Sequence, residues 1–320
     1  MIKIFKASKM AYTPFDNFEE GDFNIFKQYN IKFVENVQDA DIIVSDTIRH
    51  LKKYFFRGLS GMKFLLWTNE PRFDLSFTEV TRHYGFIKVH HMNIYTKDVF
   101  LQNLSFHAKM MNRSLNYLGN EFRFKSKKTV ALMSYYNGIN APKLIFNRKN
   151  IDLIGLRSEI ALVGDKQGVL DVYGKGWPNN IAIEDSRTGD WPTRKKEILS
   201  NYNFNLCFEN TAYPNYMTEK IWNSIENYCL PIYYSENTNA YELFPKQSFI
   251  DYADFKDAEE LFSFINALSK DEYRLRLNKC IKVYNSIFER GQKYAKILRQ
   301  EVLEMVVKRL KSIKENKNVK

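Results

Sequence analysis

The densest run of chemistry-bearing residues lies at 204–220: Phe-Asn-Leu-Cys-Phe-Glu-Asn-Thr-Ala-Tyr-Pro-Asn-Tyr-Met-Thr-Glu-Lys. A short apolar strand ends at Phe208, a polar loop follows, and Thr218 stands where a helix begins. Threonine is a good N-cap, and Glu219 falls in the first turn, where the helix dipole favours a carboxylate. Lys220 is the odd element, because a cation there opposes the dipole unless an anion faces it. A strand end followed by a helix N-terminus is also where open α/β sheets hold phosphates. Spacing alone leaves two readings open, an anion site or a solvated first turn after an ordinary loop.

Other catalytic signatures are absent. The sequence has no P-loop, no GxGxxG after a strand, no GxSxG elbow and no HExxH. His90 and His91 are adjacent, so they point to different sides of an element, and no partner lies at ligand spacing. A polar loop or strand edge accounts for them better than a metal site. Asp152, Asp165, Asp171 and Asp185 are scattered and form no D-x-D pair.

The elements that must position these groups alternate. Strands are expected at 1–6, 31–34, 41–45 and 63–68, with helices at 23–29 and 47–56. A polar, basic stretch at 123–128 reads as a linker. Beyond it, strands are expected at 129–133, 169–173, 204–208 and 230–234, with helices at 156–163, 193–202 and 218–228. From residue 254 onward the pattern is mostly helical. Such βαβ alternation predicts an α/β fold with parallel sheets. Three parts are expected: an N-terminal domain over 1–124, a second domain over 125–290, and a basic helical tail over 291–320.

The segment 204–235 resembles the signature of the family 10 glycosyltransferases, the α-1,3/4-fucosyltransferases, especially their short bacterial members. The shared features are an aromatic strand ending in Phe-Glu-Asn, Tyr-x-Thr-Glu-Lys opening a helix, and a strand with an internal proline. Residues 169–174 (VLDVYG) are similar to another strand of that family. Met217 stands where Val is usual and Ser235 where Gly is common, and the heptad repeats of some bacterial members are missing.

The resemblance implies a GT-B fold, two Rossmann-like domains facing across a cleft, with C-terminal helices. It implies an N-terminal acceptor domain and a C-terminal GDP-fucose domain. The activity it implies is inverting transfer of L-fucose to a GlcNAc-type hydroxyl of an oligosaccharide, in α-1,3 linkage. Donor contacts then fall to Arg157, Glu209, Asn210, Tyr216, Thr218, Glu219 and Lys220, with Arg148 an alternative to Arg157. The implied catalytic base is Glu70, which follows the strand at 63–68; Asn69 stands where Gly is common, and Asp74 is the alternative. No cofactor and no metal ligand set is implied, although a divalent metal is an expected stimulant. The expected partners are GDP-fucose and an oligosaccharide or lipid-linked glycan. The loop at 73–84 is assigned to the acceptor.

Composition sets the outer bounds. The 320 residues are 44% hydrophobic and 15% aromatic, which excludes a largely disordered chain. No apolar run approaches the ~18 residues of a membrane-spanning helix. The N-terminal MIKIFKA lacks the apolar core of a secretory signal. Cys207, Cys229 and Cys280 are few and widely spaced, which suggests a reducing cytoplasm. The net charge of +11 invites a nucleic-acid reading, but six of those charges lie within residues 291–320. No RNA- or DNA-binding pattern accompanies them, so nucleic acid is not an expected partner. Leu298, Val302, Val306, Leu310 and Ile313 recur at helical spacing among lysines. Two roles are expected for this stretch: packing across the N-terminal domain for 291–306, and contact with an anionic membrane for 308–320.

Overall fold

The computed structural model describes residues 1–320 except 17–18, 101–110, 112, 137–142, 186–188 and 316–320. The chain divides into two compact units, residues 1–109 with 292–320, and residues 110–291.

In the first unit, β1 (Ile2–Lys6), α1 (Asp22–Gln28), β2 (Ile31–Phe33), β3 (Ile42–Ser45), α2 (Ile48–Lys52) and β4 (Lys63–Trp67) follow one another. They are followed by β5 (Val80–His83) and β6 (Ile87–Met92). The sheet order is β2-β1-β3-β4-β6-β5, parallel throughout except for β5, which runs antiparallel to β6. Central strands covered on both faces read as unbroken apolar runs. β3 (IIVS) and β4 (KFLLW) do so, and all of their apolar side chains are buried. Ile43, Phe64, Leu66 and Val89 pack from the sheet against Leu51 and Phe55, each residue removing roughly 1.5–3 kcal/mol of apolar exposure.

Two expectations needed revision here. The helix expected at 47–56 stops at Lys52, and Phe55–Ser60 continues as a tighter 3-10 turn closed by Gly61. The loop assigned at 73–84 contains β5, whose sequence VTRH lacks apolar alternation because it is an edge strand with no buried residue.

His90, on β6, sits between Leu65 and Val80 of the flanking strands. Burial, reinforced by Arg309, lowers its pKa to about 4 from an ordinary 6.5. Between these values the unfolded chain binds a proton that the native state refuses, so stability falls as pH drops through this window. The loss should reach about 3 kcal/mol by pH 4. Replacing His90 with Gln should flatten that part of a urea-midpoint-versus-pH curve, and an unchanged slope would exclude His90 as its source.

In the second unit the elements are β7 (Thr129–Leu132), the hairpin β8 (Ile145–Phe146) and β9 (Lys149–Asn150), α3 (Ile154–Lys166), β10 (Leu170–Tyr173) and β11 (Ala182–Glu184). Then come α4 (Trp191–Leu199), β12 (Phe204–Leu206), α5 (Glu219–Glu226), β13 (Leu230–Tyr233), α6 (Ala240–Leu243), β14 (Ile250–Asp251) and α7 (Ala258–Ala267). The main sheet, β11-β10-β7-β12-β13-β14, is wholly parallel. β10 ends at Gly174 for a steric reason. Its φ is 151°, and a Cβ there would stand 2.1 Å from the Met133 carbonyl oxygen.

The basic stretch at 123–128 is anchored inside this unit. Lys125 and Ser126 donate their backbone N–H groups to Asn203 Oδ1 (2.7 and 3.1 Å), and Lys127 Nζ donates to the Leu268 carbonyl (3.1 Å). The division between units lies earlier, at 109/110. Each unit is built on a largely parallel Rossmann-like sheet, so the two α/β domains that the expected GT-B fold requires are both present.

The last helix, α8 (Lys270–Glu315), breaks at Gly291 (φ 64°, ψ −171°), a conformation that favours glycine. Residues after the break belong to the first unit. There Val302, Leu303, Val306, Val307, Leu310 and Ile313 are all buried. Arg309, also buried, donates to Glu79 (2.5 Å) and Asp98 (2.8 Å), and Lys314 donates to Asp41 (2.7 Å). The apolar stripe through residue 313 is therefore spent in the core, and residues 308–315 do not offer it to a bilayer. Residues 316–320 lie outside the described residues.

Candidate active site

The site grows from the C-terminal end of β12. After Leu206 the chain keeps its direction briefly, with Cys207 N–H donating to the Ile232 carbonyl (3.0 Å), and then turns. The loop that follows is pinned from its backbone. Leu153 N–H donates to the Asn210 carbonyl (3.0 Å), Ala212 N–H to that of Ile151 (2.8 Å), and Asn215 N–H to Asn239 Oδ1 (2.6 Å). Tyr216, 3% exposed, is packed inside this loop. Asn210 stays half-buried at its start.

Thr218 is the N-cap of α5 in extended conformation, as its position predicts, but its own side chain caps nothing. Glu209 does that work from outside the helix. Its buried carboxylate accepts the Thr218 N–H (2.7 Å) and hydroxyl (2.8 and 2.9 Å) at the positive end of the dipole. The same carboxylate accepts from Lys220 Nζ at 2.9 Å. Two expectations change in consequence. The anion that faces Lys220 is the protein's own Glu209. Glu209, 2% exposed and engaged with Thr218 and Lys220, holds the lysine in place instead of being displayed to a ligand.

Burial works against the Lys220 ammonium, yet Glu209 and Glu219 outweigh it and its pKa is raised. It stays charged. Glu219 shows the converse: burial raises a carboxylate, but Lys220 and Lys195 overcome this and lower it to about 2. Its side chain is 59% exposed, so this carboxylate is presented ionised at the surface.

Lys195, on α4, is a site residue that the sequence did not single out. Its side chain is 13% exposed, and its Nζ lies 4.0 Å from Glu219 Oε1 and 5.2 Å from the Trp191 ring. Burial and the neighbouring Lys220 lower its pKa, partly offset by Glu219. Lys195 and Lys196 are adjacent and equally basic, and only the helix's packing decides which of them turns inward. The signal present was Trp191 and Lys195 at i, i+4, which places both on one face once α4 is assigned.

Arg157 lies in the first turns of α3, 8% exposed, and donates from Nη1 to the Phe208 carbonyl (3.0 Å). Arg157, Lys195 and Lys220 line one small cavity together with Asn205, Cys207 and Phe208. Arg148 instead sits exposed in the β8–β9 turn at φ 65°. Outside Glu219 a second pocket of about 290 Å³ opens, lined by Trp191, Lys195, Lys196, Glu219, Asn223 and Glu226. An aromatic ring, an ionised carboxylate and three cations within one neighbourhood suit a nucleoside diphosphate: base, ribose hydroxyls and phosphates in turn.

In the first unit, Glu70 follows β4 directly and is half-buried. Its N–H donates to Thr68 Oγ1 (3.1 Å), and its carbonyl accepts from Phe73 N–H (3.1 Å). Asp74 is buried, accepting from His91 Nδ1 (2.8 Å), Asn93 Nδ2 (2.7 Å) and Ser76 N–H (3.0 Å). His91 Nε2 pairs with Thr81 Oγ1 at 2.7 Å, so both ring nitrogens have partners. Among the described residues no group of three His, Cys, Asp or Glu side chains could hold a metal.

Residues 162–297 match the family model described as Glycosyltransferase family 10 (fucosyltransferase) C-term. The match takes in 136 of the 320 residues, so the likeness to this family is shown for that stretch. The matched stretch includes α4, α5 and every expected donor contact except Arg157 and its alternative Arg148. The 4-galactosyl-N-acetylglucosaminide 3-alpha-L-fucosyltransferase of Homo sapiens is 39% identical over 80 residues, 24% of this chain and 22% of that protein. The 3-galactosyl-N-acetylglucosaminide 4-alpha-L-fucosyltransferase of Homo sapiens matches to the same extent. The chain thus spans less than a quarter of the length of the curated relatives it matches. A solved α1,3-fucosyltransferase is 18% identical, with a TM-score of 0.48 over 95% of this chain and 90% of its own.

Proposed function

We propose that this chain is an inverting fucosyltransferase, moving L-fucose from GDP-fucose to a GlcNAc-type hydroxyl of an oligosaccharide in α-1,3 linkage, in the cytoplasm. The observation that carries the reading is the convergence of Arg157, Lys195 and Lys220 on one cavity beside the family 10 helix α5.

In this reading Glu219 accepts hydrogen bonds from the ribose hydroxyls, and the three cations face the diphosphate. As the bond from fucose C1 to the phosphate oxygen breaks, GDP leaves with the electron pair. The cations and the α5 N-terminus stabilise the charge that develops there. The acceptor oxygen bonds to C1 from the opposite face, and its proton passes to Glu70. A hydroxyl is a weak nucleophile at neutral pH, and one positioned carboxylate contributes typically ~10²–10⁴-fold. Inversion requires no covalent sugar–enzyme intermediate, so a single base suffices.

The test is direct. Incubation with GDP-fucose and a panel of N-acetyllactosamine-type acceptors, with and without magnesium, should yield a mono-fucosylated product by mass spectrometry. Transfer from another GDP- or UDP-sugar in preference to GDP-fucose would overturn the donor assignment.

A further inference from the structure

The first unit carries a cluster of strongly exposed apolar side chains on elements other than the one that bears Glu70. Phe56 is 87% exposed, Leu59 68%, Tyr84 74% and Phe86 58%. Large apolar side chains scattered singly over a surface need no explanation, but clustered ones mark a contact.

These four come from two segments that pack together. Phe56 and Leu59 lie on the 3-10 turn Phe55–Ser60, and Tyr84 and Phe86 flank Gly85 at the tip of the β5–β6 hairpin. The Phe55 ring lies 5.3 Å from that of His83 and 6.3 Å from that of Tyr84. Gly58 approaches Ile87 so closely that a Cβ would stand 2.8 Å from its Cδ1. The two tips are therefore neighbours.

Their charge is one-sided. Residues 47–63 and 80–92 together hold seven Lys or Arg and no Asp or Glu. Lys52, Lys53, Arg82 and Lys88 are exposed, and Arg82 faces Lys88 across the β5–β6 ladder. Lys52 lies near enough to His83 to add to the effect of burial in lowering the imidazole pKa. Asp41, which borders the region beside Arg57, is held by Lys314 at 2.7 Å.

We propose that this surface, Phe56, Leu59, Tyr84 and Phe86 within a ring of cations, docks the protein on an anionic lipid bilayer. Exposed aromatic and aliphatic side chains enter the headgroup boundary while lysines and arginines meet the lipid charge. A second copy of the chain is disfavoured, because a self-complementary contact would set these like charges against each other. A single-stranded nucleic acid would use rings for stacking, but Leu59 offers nothing to a base.

Topology supports the orientation. The 3-10 turn precedes β4 and the hairpin tip precedes β6, so the surface lies at the N-terminal edge of these parallel strands. Glu70 follows the opposite, C-terminal end of β4. Docking by this surface turns the Glu70 end of the first unit away from the bilayer.

Flotation of the full chain tests the proposal, using phosphatidylcholine vesicles with and without phosphatidylglycerol. Binding is expected only with the anionic lipid and should weaken with salt. Combining Phe56→Ser, Leu59→Ser, Tyr84→Ser and Phe86→Ser should cut it by at least about tenfold, as should Lys52→Glu with Arg57→Glu. All of these side chains lie at the surface, and a wild-type circular dichroism melt confirms that the variants fold. Deleting residues 316–320 should change nothing. The proposal fails if the wild type does not float, or if the serine variant floats as the wild type does. It also fails if the same substitutions abolish single-stranded RNA binding or dimerisation instead.

Discussion

Glu70→Gln should leave GDP affinity within about twofold of wild type and lower turnover by ~10²–10⁴-fold, the usual contribution of a positioned general base. The substitution keeps the shape and hydrogen-bonding reach of the side chain while removing its ability to take a proton. It therefore separates proton transfer from folding. Asp74 is the rival carboxylate on the same loop, and its surroundings fit a different task. It is 6% exposed and accepts three hydrogen bonds, from His91, Asn93 and the Ser76 N–H. A carboxylate so engaged fixes the loop to β6 and the turn after it. Asp74→Asn should accordingly lower the melting temperature, whereas Glu70→Gln should not. Isothermal titration with GDP and steady-state fucosyl transfer measure the two halves of the first result. Near-wild-type turnover in Glu70→Gln would remove Glu70 from the base role.

Lys220→Ala should fail twice. Loss of one charge-assisted contact to a phosphate costs roughly 1.5–3 kcal/mol, so GDP affinity should fall about 10- to 100-fold. The substitution also leaves Glu209, 2% exposed, as a buried carboxylate without its cation, which typically costs ~3–5 kcal/mol of stability. The two effects can be separated. Adding Glu209→Gln to Lys220→Ala removes the stranded charge while keeping an acceptor for the Thr218 N–H and hydroxyl. The double variant should regain most of the lost stability, measured by urea denaturation, and none of the GDP affinity. Unchanged nucleotide affinity in Lys220→Ala would sink the donor-site assignment. A double variant no more stable than the single one would show that the Glu209–Lys220 pair is not what holds α5 in place.

Much of this architecture is legible in the residues alone. Short, β-branched or aromatic apolar runs such as IIVS and KFLLW, bounded by polar residues, read as covered parallel strands. Thr218 announces the start of α5, and the 204–235 segment carries the resemblance to family 10 that the match over 162–297 bears out. These are local properties, encoded in side-chain periodicity and in the preference of one residue for one backbone position.

What the sequence could not determine depends on which faces meet. Glu209 and Lys220 are eleven positions apart, and only the tight turn out of β12 brings one onto the other. That contact changed the meaning of the first-turn lysine: an internal carboxylate already stands before it. Lys195 and Lys196 are indistinguishable until α4 packs. The stripe from Val302 to Ile313 shows that the tail has an apolar face. Periodicity is silent on what that face touches, and Arg309 between Glu79 and Asp98 answers that it is the first unit. The exposed apolar residues lie at 56–59 and 84–86, two tips with no shared period, so only the packing of Phe55 against the β5–β6 hairpin makes them one surface. Sequence determined the elements and singled out the 204–220 segment; tertiary structure decided the partners, because distance along the chain carries no record of distance in space.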